Sequence, residues 1–94
     1  MAEVTEKYQH VKDLTEKEDY KTALDEVDKL IKENKEDDFA LYLKGNIYKK
    51  QGNWQEAINN YTEAITLNPK SPATTMRRIC IDILNFFNHD MFNH

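Results

Sequence analysis

Few side chains in this 94-residue chain are of a type that does covalent or metal chemistry. Cys80 is its one thiol. A nucleophilic thiol needs a base beside it to hold the thiolate form, and the nearest candidate along the chain is His89. The preferred reading of Cys80 is a small buried packing residue. Ser71, the one serine, precedes Pro72, a sequence suited to starting a helix rather than attacking a carbonyl. His89, Asp90 and His94 have metal-ligand side chains, but an interval of five residues does not align two imidazoles on one helical face. Gly45 and Gly52 are the only glycines, too few for a loop that cradles phosphate. These observations predict no catalytic, cofactor-binding or metal-ligating residue and no enzymatic activity.

Composition narrows the partners. The net charge of −4 is concentrated at the start: residues 1–37 hold 12 acids against 7 bases, whereas residues 38–71 hold 3 against 4. No basic face able to neutralise many phosphates is expected, so nucleic acid is excluded as a partner. No apolar run approaches the roughly 20 residues of a membrane span. The N-terminus lacks the basic and apolar regions of a secretory signal, and a single cysteine suits a reducing compartment, so a cytoplasmic location is expected. Asn60-Tyr61-Thr62 spells a glycosylation sequon but falls inside a predicted helix, where coincidence is the better account. Leu, Ile, Val and Phe number 21 of 94, just above the roughly 20% below which disorder would be expected. Their helical spacing favours a folded chain.

That spacing repeats. Sliding the sequence along itself by about 34 residues, an interval found in helical arrays, superimposes Ala23 on Ala57, Leu24 on Ile58, Ile31 on Ile65, Tyr20 on Trp54 and Asp19 on Asn53. In such arrays each unit buries its apolar face against a neighbour. Each unit reads as two amphipathic helices. In the second, Phe39 to Lys50 places Leu43, Ile47 and Lys50 on one side and Leu41, Gly45 and Tyr48 toward the partner helix. Gly52 stops that helix, Asn53 caps the next with Glu56 three residues on, and Asn68-Pro69 ends it. The first unit is looser. Tyr8, Val11 and Leu14 mark its first helix and Tyr20, Ala23, Leu24, Val27, Leu30 and Ile31 its second, but its turn has no glycine. An acid of the run Glu33 to Asp38 is available to cap the next helix, and Ser71-Pro72 opens a last one.

In the second unit, Leu41-x2-Lys44-Gly45-x2-Tyr48, Trp54, Ala57-x3-Tyr61, Ala64 and Pro69 fall at signature spacings, and on these residues the chain resembles the tetratricopeptide repeat family. Lys44 stands where Leu is usual, and the first unit has Val11 for the small residue and Lys35 for the closing proline. The ending Asp82 to Phe87 resembles the tails of small two-repeat bacterial proteins. The expected architecture is an all-α superhelix of two helical hairpins plus a C-terminal capping helix, five helices in a single domain 1–94. Its divisions are repeat one at about 4–37, repeat two at about 38–71, and a C-terminal helix and tail at 72–94.

The resemblance implies a non-enzymatic module in which the first helices of successive repeats line a concave groove for a peptide or a partner's helix. Carried onto this chain, the groove would present Tyr8, Lys12, Phe39, Tyr42, Asn46, Lys49, Lys50, Met76, Arg77 and Cys80. Asn46, directly after Gly45, sits where some chaperone-binding members grip a peptide's terminal carboxylate. Tyr8, Met76 and Cys80 occupy the other clamp positions, however, so an ordinary polar groove residue is preferred. On the last helix, Met76, Ile79, Cys80, Ile83 and Phe87 form a stripe that can cover the second repeat, while Ile81, Leu84 and Phe92 project elsewhere. Either Asn88 to His94 folds back to shield them, the preferred reading, or a second chain packs there in a symmetric homodimer.

Overall fold

A computed structural model describes the backbone of residues 2–92 and the side chains of residues 6–87. Five helices are present among the described residues: α1 (Ala2–Glu16), α2 (Tyr20–Glu33), α3 (Asp38–Lys50), α4 (Trp54–Leu67) and α5 (Ala73–Phe92). Each packs on the next in the chain, and the odd-numbered helices also touch along one side, α1 on α3 and α3 on α5. No such contact joins α2 to α4. The odd helices therefore form the inner wall of the stack.

The punctuation between helices repeats with the same period as the apolar residues. Asp19 and Asn53 cap α2 and α4, their side chains accepting from the amides of Thr22 and Glu56. Asp37 caps α3 through the Ala40 amide at 3.0 Å, and Ser71 Oγ accepts from the Ala73 amide at 3.1 Å. Asn34 and Asn68 both end their helices in extended backbone, and each side-chain oxygen accepts from the amide two residues on, that of Glu36 or Lys70. This asparagine-centred turn explains why Lys35 can replace the proline of the second unit: the reversal is made one residue earlier by a side-chain hydrogen bond.

Two joined clusters make the core. The first holds Val11, Ala23, Val27, Ala40, Leu43 and Ile47, and the second Leu41, Ala57, Tyr61, Ala64, Ala73 and Cys80. Helix α3 serves both, with Leu43 and Ile47 turned to the first hairpin and Leu41 to α4, as its two apolar stripes predict. Lys44 stands half-buried at the seam, its ammonium 2.8 Å from the Asp28 carboxylate of α2, so the departure from Leu becomes an ion pair between hairpins. Asn60 of the sequon is buried and donates to the Glu56 carbonyl at 2.8 Å. Its amide is committed to its own helix.

Among the described residues, the fold-back expected of Asn88 to His94 is not seen, and Asn93 and His94 lie outside them. Residues 88–92 continue α5 without a break, because the chain after Pro72 contains neither glycine nor proline to end a helix. The side chains of Met91 and Phe92 lie outside the described residues, as do those of His89, Asp90 and His94.

Candidate functional site

The inner wall carries a groove of about 410 Å³. Six of its lining residues, Phe39, Tyr42, Leu43, Asn46, Lys49 and Lys50, come from α3 at steps of three, one, three, three and one residues, the repeat of a single helical face. Helix α1 supplies Lys12, Thr15 and Glu16 on one side, and Pro72 and Met76 at the start of α5 close the other.

The floor is aromatic. Tyr8 meets Phe39 edge to face with ring centroids 4.8 Å apart, Phe39 lies 5.6 Å from Tyr42, and Tyr42 lies 6.1 Å from Tyr61. The Tyr8 hydroxyl donates to Asp37 Oδ2 at 2.7 Å, so the carboxylate that caps α3 also ties α1 to it. Burial and this acceptor push the Tyr8 phenol up to about 12, since ionising it would strip water from the new charge and set it beside Asp37. Tyr61 enters from α4, fully buried, and its hydroxyl donates to Asn46 Oδ1. With its oxygen occupied beneath, Asn46 keeps its amide hydrogens for the groove. Burial pushes the Tyr61 phenol well above its ordinary range and keeps it a neutral donor.

Above the floor stand cations. Lys12 Nζ lies 5.4 Å from the centre of the Phe39 ring. Lys49 and Lys50 follow along α3, with Glu16 the one acid in the lining. The ion pairs among the described residues are Lys7 with Glu33, Lys29 with Glu26 and Lys44 with Asp28. None of them engages Lys12, Lys49 or Lys50, so an acid-rich chain carries a cationic groove.

The structure thus brings together Lys12, Phe39, Tyr42, Asn46, Lys49, Lys50 and Met76, with Tyr8 supporting Phe39 from beside the groove. Arg77 is placed elsewhere. Its Nε donates to Thr62 Oγ1 of α4 at 2.8 Å. In the repeat it is the counterpart of Leu43, a position that points back at the preceding hairpin. Cys80 is wholly buried in the second cluster, and burial raises its thiol despite the opposing pull of the Lys49 charge. Thr15, Glu16, Leu43 and Pro72 were not anticipated in the groove. The repeat could have found two of them, since Thr15 and Glu16 are the first-unit counterparts of Lys49 and Lys50.

Two stacked hairpins and a closing helix around such a groove define a helical-repeat protein. The tetratricopeptide repeat pattern matches residues 39–71. The solution NMR structure of the Bacteroides fragilis protein BF1650 is similar to this one, with a TM-score of 0.83 at 44% sequence identity over 92% of this chain and 88% of that one. No curated protein sequence matches the chain. The chain belongs to the tetratricopeptide repeat family, whose members are typically non-catalytic and work through protein partners. No helix of the described residues is long and apolar enough to cross a membrane.

Proposed function

We propose that this protein is a peptide-binding adaptor whose groove takes an extended, acid-bearing segment of a partner protein. The observation that carries this reading is the trio of lysines, engaged by no acid among the described residues, set over an aromatic floor. Rings offer contact area at low entropic cost, and ammonium groups held close to them strengthen carboxylate recognition by thinning the intervening water. Asn46 adds a donor pair of fixed orientation, suited to a backbone carbonyl or a carboxylate. Residues 1–94 act as one unit in this reading, with the hairpins at about 4–37 and 38–71 and the helix and tail at 72–94 supplying one wall segment each.

Fluorescence anisotropy with labelled extended peptides tests it. An Asp/Glu-rich peptide is expected to bind with an affinity that falls with added salt, and Lys49→Ala and Lys50→Ala should each weaken it about 5- to 10-fold. Equal binding of an acidic peptide and its Lys-substituted counterpart would remove the proposal.

A further inference from the structure

Most polar side chains in the groove have a fixed hydrogen-bonding sense. Lys12, Lys49 and Lys50 only donate, the Glu16 carboxylate only accepts, and the Thr15 hydroxyl already gives its hydrogen to the Val11 carbonyl at 2.8 Å. The Tyr42 hydroxyl takes either sense by rotating one hydrogen. Asn46 is different, because reversing it exchanges a whole donor end for an acceptor end, and what lies beneath it decides which end the ligand meets.

We propose that Tyr61 is a positioning residue for peptide recognition: from beneath α3 it holds the Asn46 amide with its nitrogen toward the groove, so that the centre of the site takes an oxygen of the ligand and refuses an N–H. The Tyr61 hydroxyl donates to Asn46 Oδ1 and has no other partner among the described residues. Were Asn46 reversed, its nitrogen would face a phenol whose own hydrogen had no acceptor, at a residue with 0% exposure. An unmet buried donor costs more than one hydrogen bond contributes, so the reversed amide is disfavoured. The ring is held in the space beside Gly45, where a Cβ would overlap it, so packing fixes the place of the hydroxyl under Asn46. Burial also keeps the phenol protonated well above its ordinary range, and the bond therefore keeps its direction.

The repeat confines this device to the second hairpin. One period earlier the two positions are Lys12 and Val27, a fixed donor above a side chain that can form no hydrogen bond. One period later Asn46 is matched by Cys80, which is wholly buried. Along α3, Asn46 stands four residues after Tyr42 and three before Lys49, about 6 and 4.5 Å on the helix axis. An oxygen seated on Asn46 thus lies between the aromatic floor and a lysine, and the lysine contact is a separate one that can be measured by itself.

The ligand arm of this inference rests on the peptide-binding reading of the groove, and an NMR arm does not. In isotope-labelled protein without peptide, heteronuclear NOEs should show the Asn46 side-chain amide as rigid as the α3 backbone. Tyr61→Phe, which keeps the ring, should free that amide and leave the backbone rigid. In fluorescence anisotropy with the Asp/Glu-rich peptide, Asn46→Ala should weaken binding about 5-fold and Tyr61→Phe about 3-fold. The double variant should match Asn46→Ala alone, rather than show the roughly 15-fold loss of independent effects. Lys49→Ala should weaken binding by the same factor with and without the Tyr61 hydroxyl, because a general loosening of the groove would blunt the lysine contact as well. A mobile Asn46 amide in the wild-type protein, an amide equally rigid in Tyr61→Phe, independent losses in the double variant, or a Lys49 effect that shrinks with the hydroxyl would each overturn the proposal. Failure of the acidic peptide to bind the wild-type protein would overturn the adaptor reading, whereas the amide measurement decides the positioning of Asn46 by itself.

Discussion

The two hairpins pack their helices with opposite distributions of volume, and the second packs more closely than the first. In the first, Val11 of α1 and Val27 of α2 both lie in the buried cluster, at 1% and 0% exposure. In the second, the corresponding positions are Gly45 and Tyr61. A Cβ added to Gly45 would fall inside the contact distance of Tyr61 Cδ1 and Cε1, so the ring occupies the space that the glycine leaves. One hairpin fills its crossing from both sides equally, and the other fills it from α4 alone. Total volume is shared differently in the two, and only the glycine lets α3 and α4 close around the Tyr61 ring. The asymmetry also has a functional consequence, because a tyrosine reaching under α3 can bond Asn46 and a valine cannot.

The sharpest way to break the comparison is Gly45→Val, which should cost about 3 kcal/mol by overpacking and can unfold so small a domain. Tyr61→Val should also cost about 3 kcal/mol, through a cavity and the loss of the Asn46 hydrogen bond. The double variant, which copies the first hairpin, should lose at least about 2 kcal/mol less than the two single losses together. Additive losses in urea denaturation would contradict volume exchange.

Ala23 and Ala57 sit at matching positions and are both fully buried, so here the hairpins should behave alike. Ala23→Leu and Ala57→Leu are each expected to lower stability by about 1–3 kcal/mol, and an unmoved denaturation midpoint for either would show that its crossing is looser than described.

The turns provide a milder contrast. Glu18 and Gly52, again matched by the repeat, both adopt left-handed backbone, with φ of 64° and 77°. Nothing lies within 4 Å of a Cβ at Gly52, so backbone conformation alone separates the two. Glu18→Gly should stabilise the protein by about 0.5–1 kcal/mol and Gly52→Ala should destabilise it by about 1 kcal/mol, both read as shifts in melting temperature.

The smallest effect concerns the Tyr8 to Asp37 bond. Because the folded phenol is raised to about 12, the native state keeps a proton that the unfolded chain releases near pH 10. The contribution of Tyr8 is therefore complete below pH 10 and lost as pH rises toward 12. Tyr8→Phe should flatten the fall of stability between those values, and parallel alkaline denaturation curves for the two proteins would rule this out.

Much of the fold was legible in the chain because its cues are local and recur at one interval. Asp19, Asn53 and Ser71 act as caps through bonds to amides two or three residues away, and such bonds need nothing from the rest of the molecule. The same holds for the facing of α3, where two apolar stripes predict two packing partners. Groove residues on α3 were legible for this reason. Arg77 was not, since whether a long side chain on α5 reaches the groove or folds onto Thr62 depends on where α4 stands.

By itself, then, the sequence determined the five helices, most of their caps, the order of stacking and the face of α3 turned inward, all consequences of periodicity and capping within single segments. Only the tertiary structure decided that Tyr61 occupies the space beside Gly45 and bonds Asn46, that Asp37 serves both α3 and Tyr8, that the groove lysines stand apart from the described carboxylates while Lys44 pairs with Asp28, and that α5 runs straight through Phe92. The first three of these outcomes depend on distances between residues far apart in the chain, which the packing of whole helices sets, and the last on whether the final segment finds a surface to turn back upon.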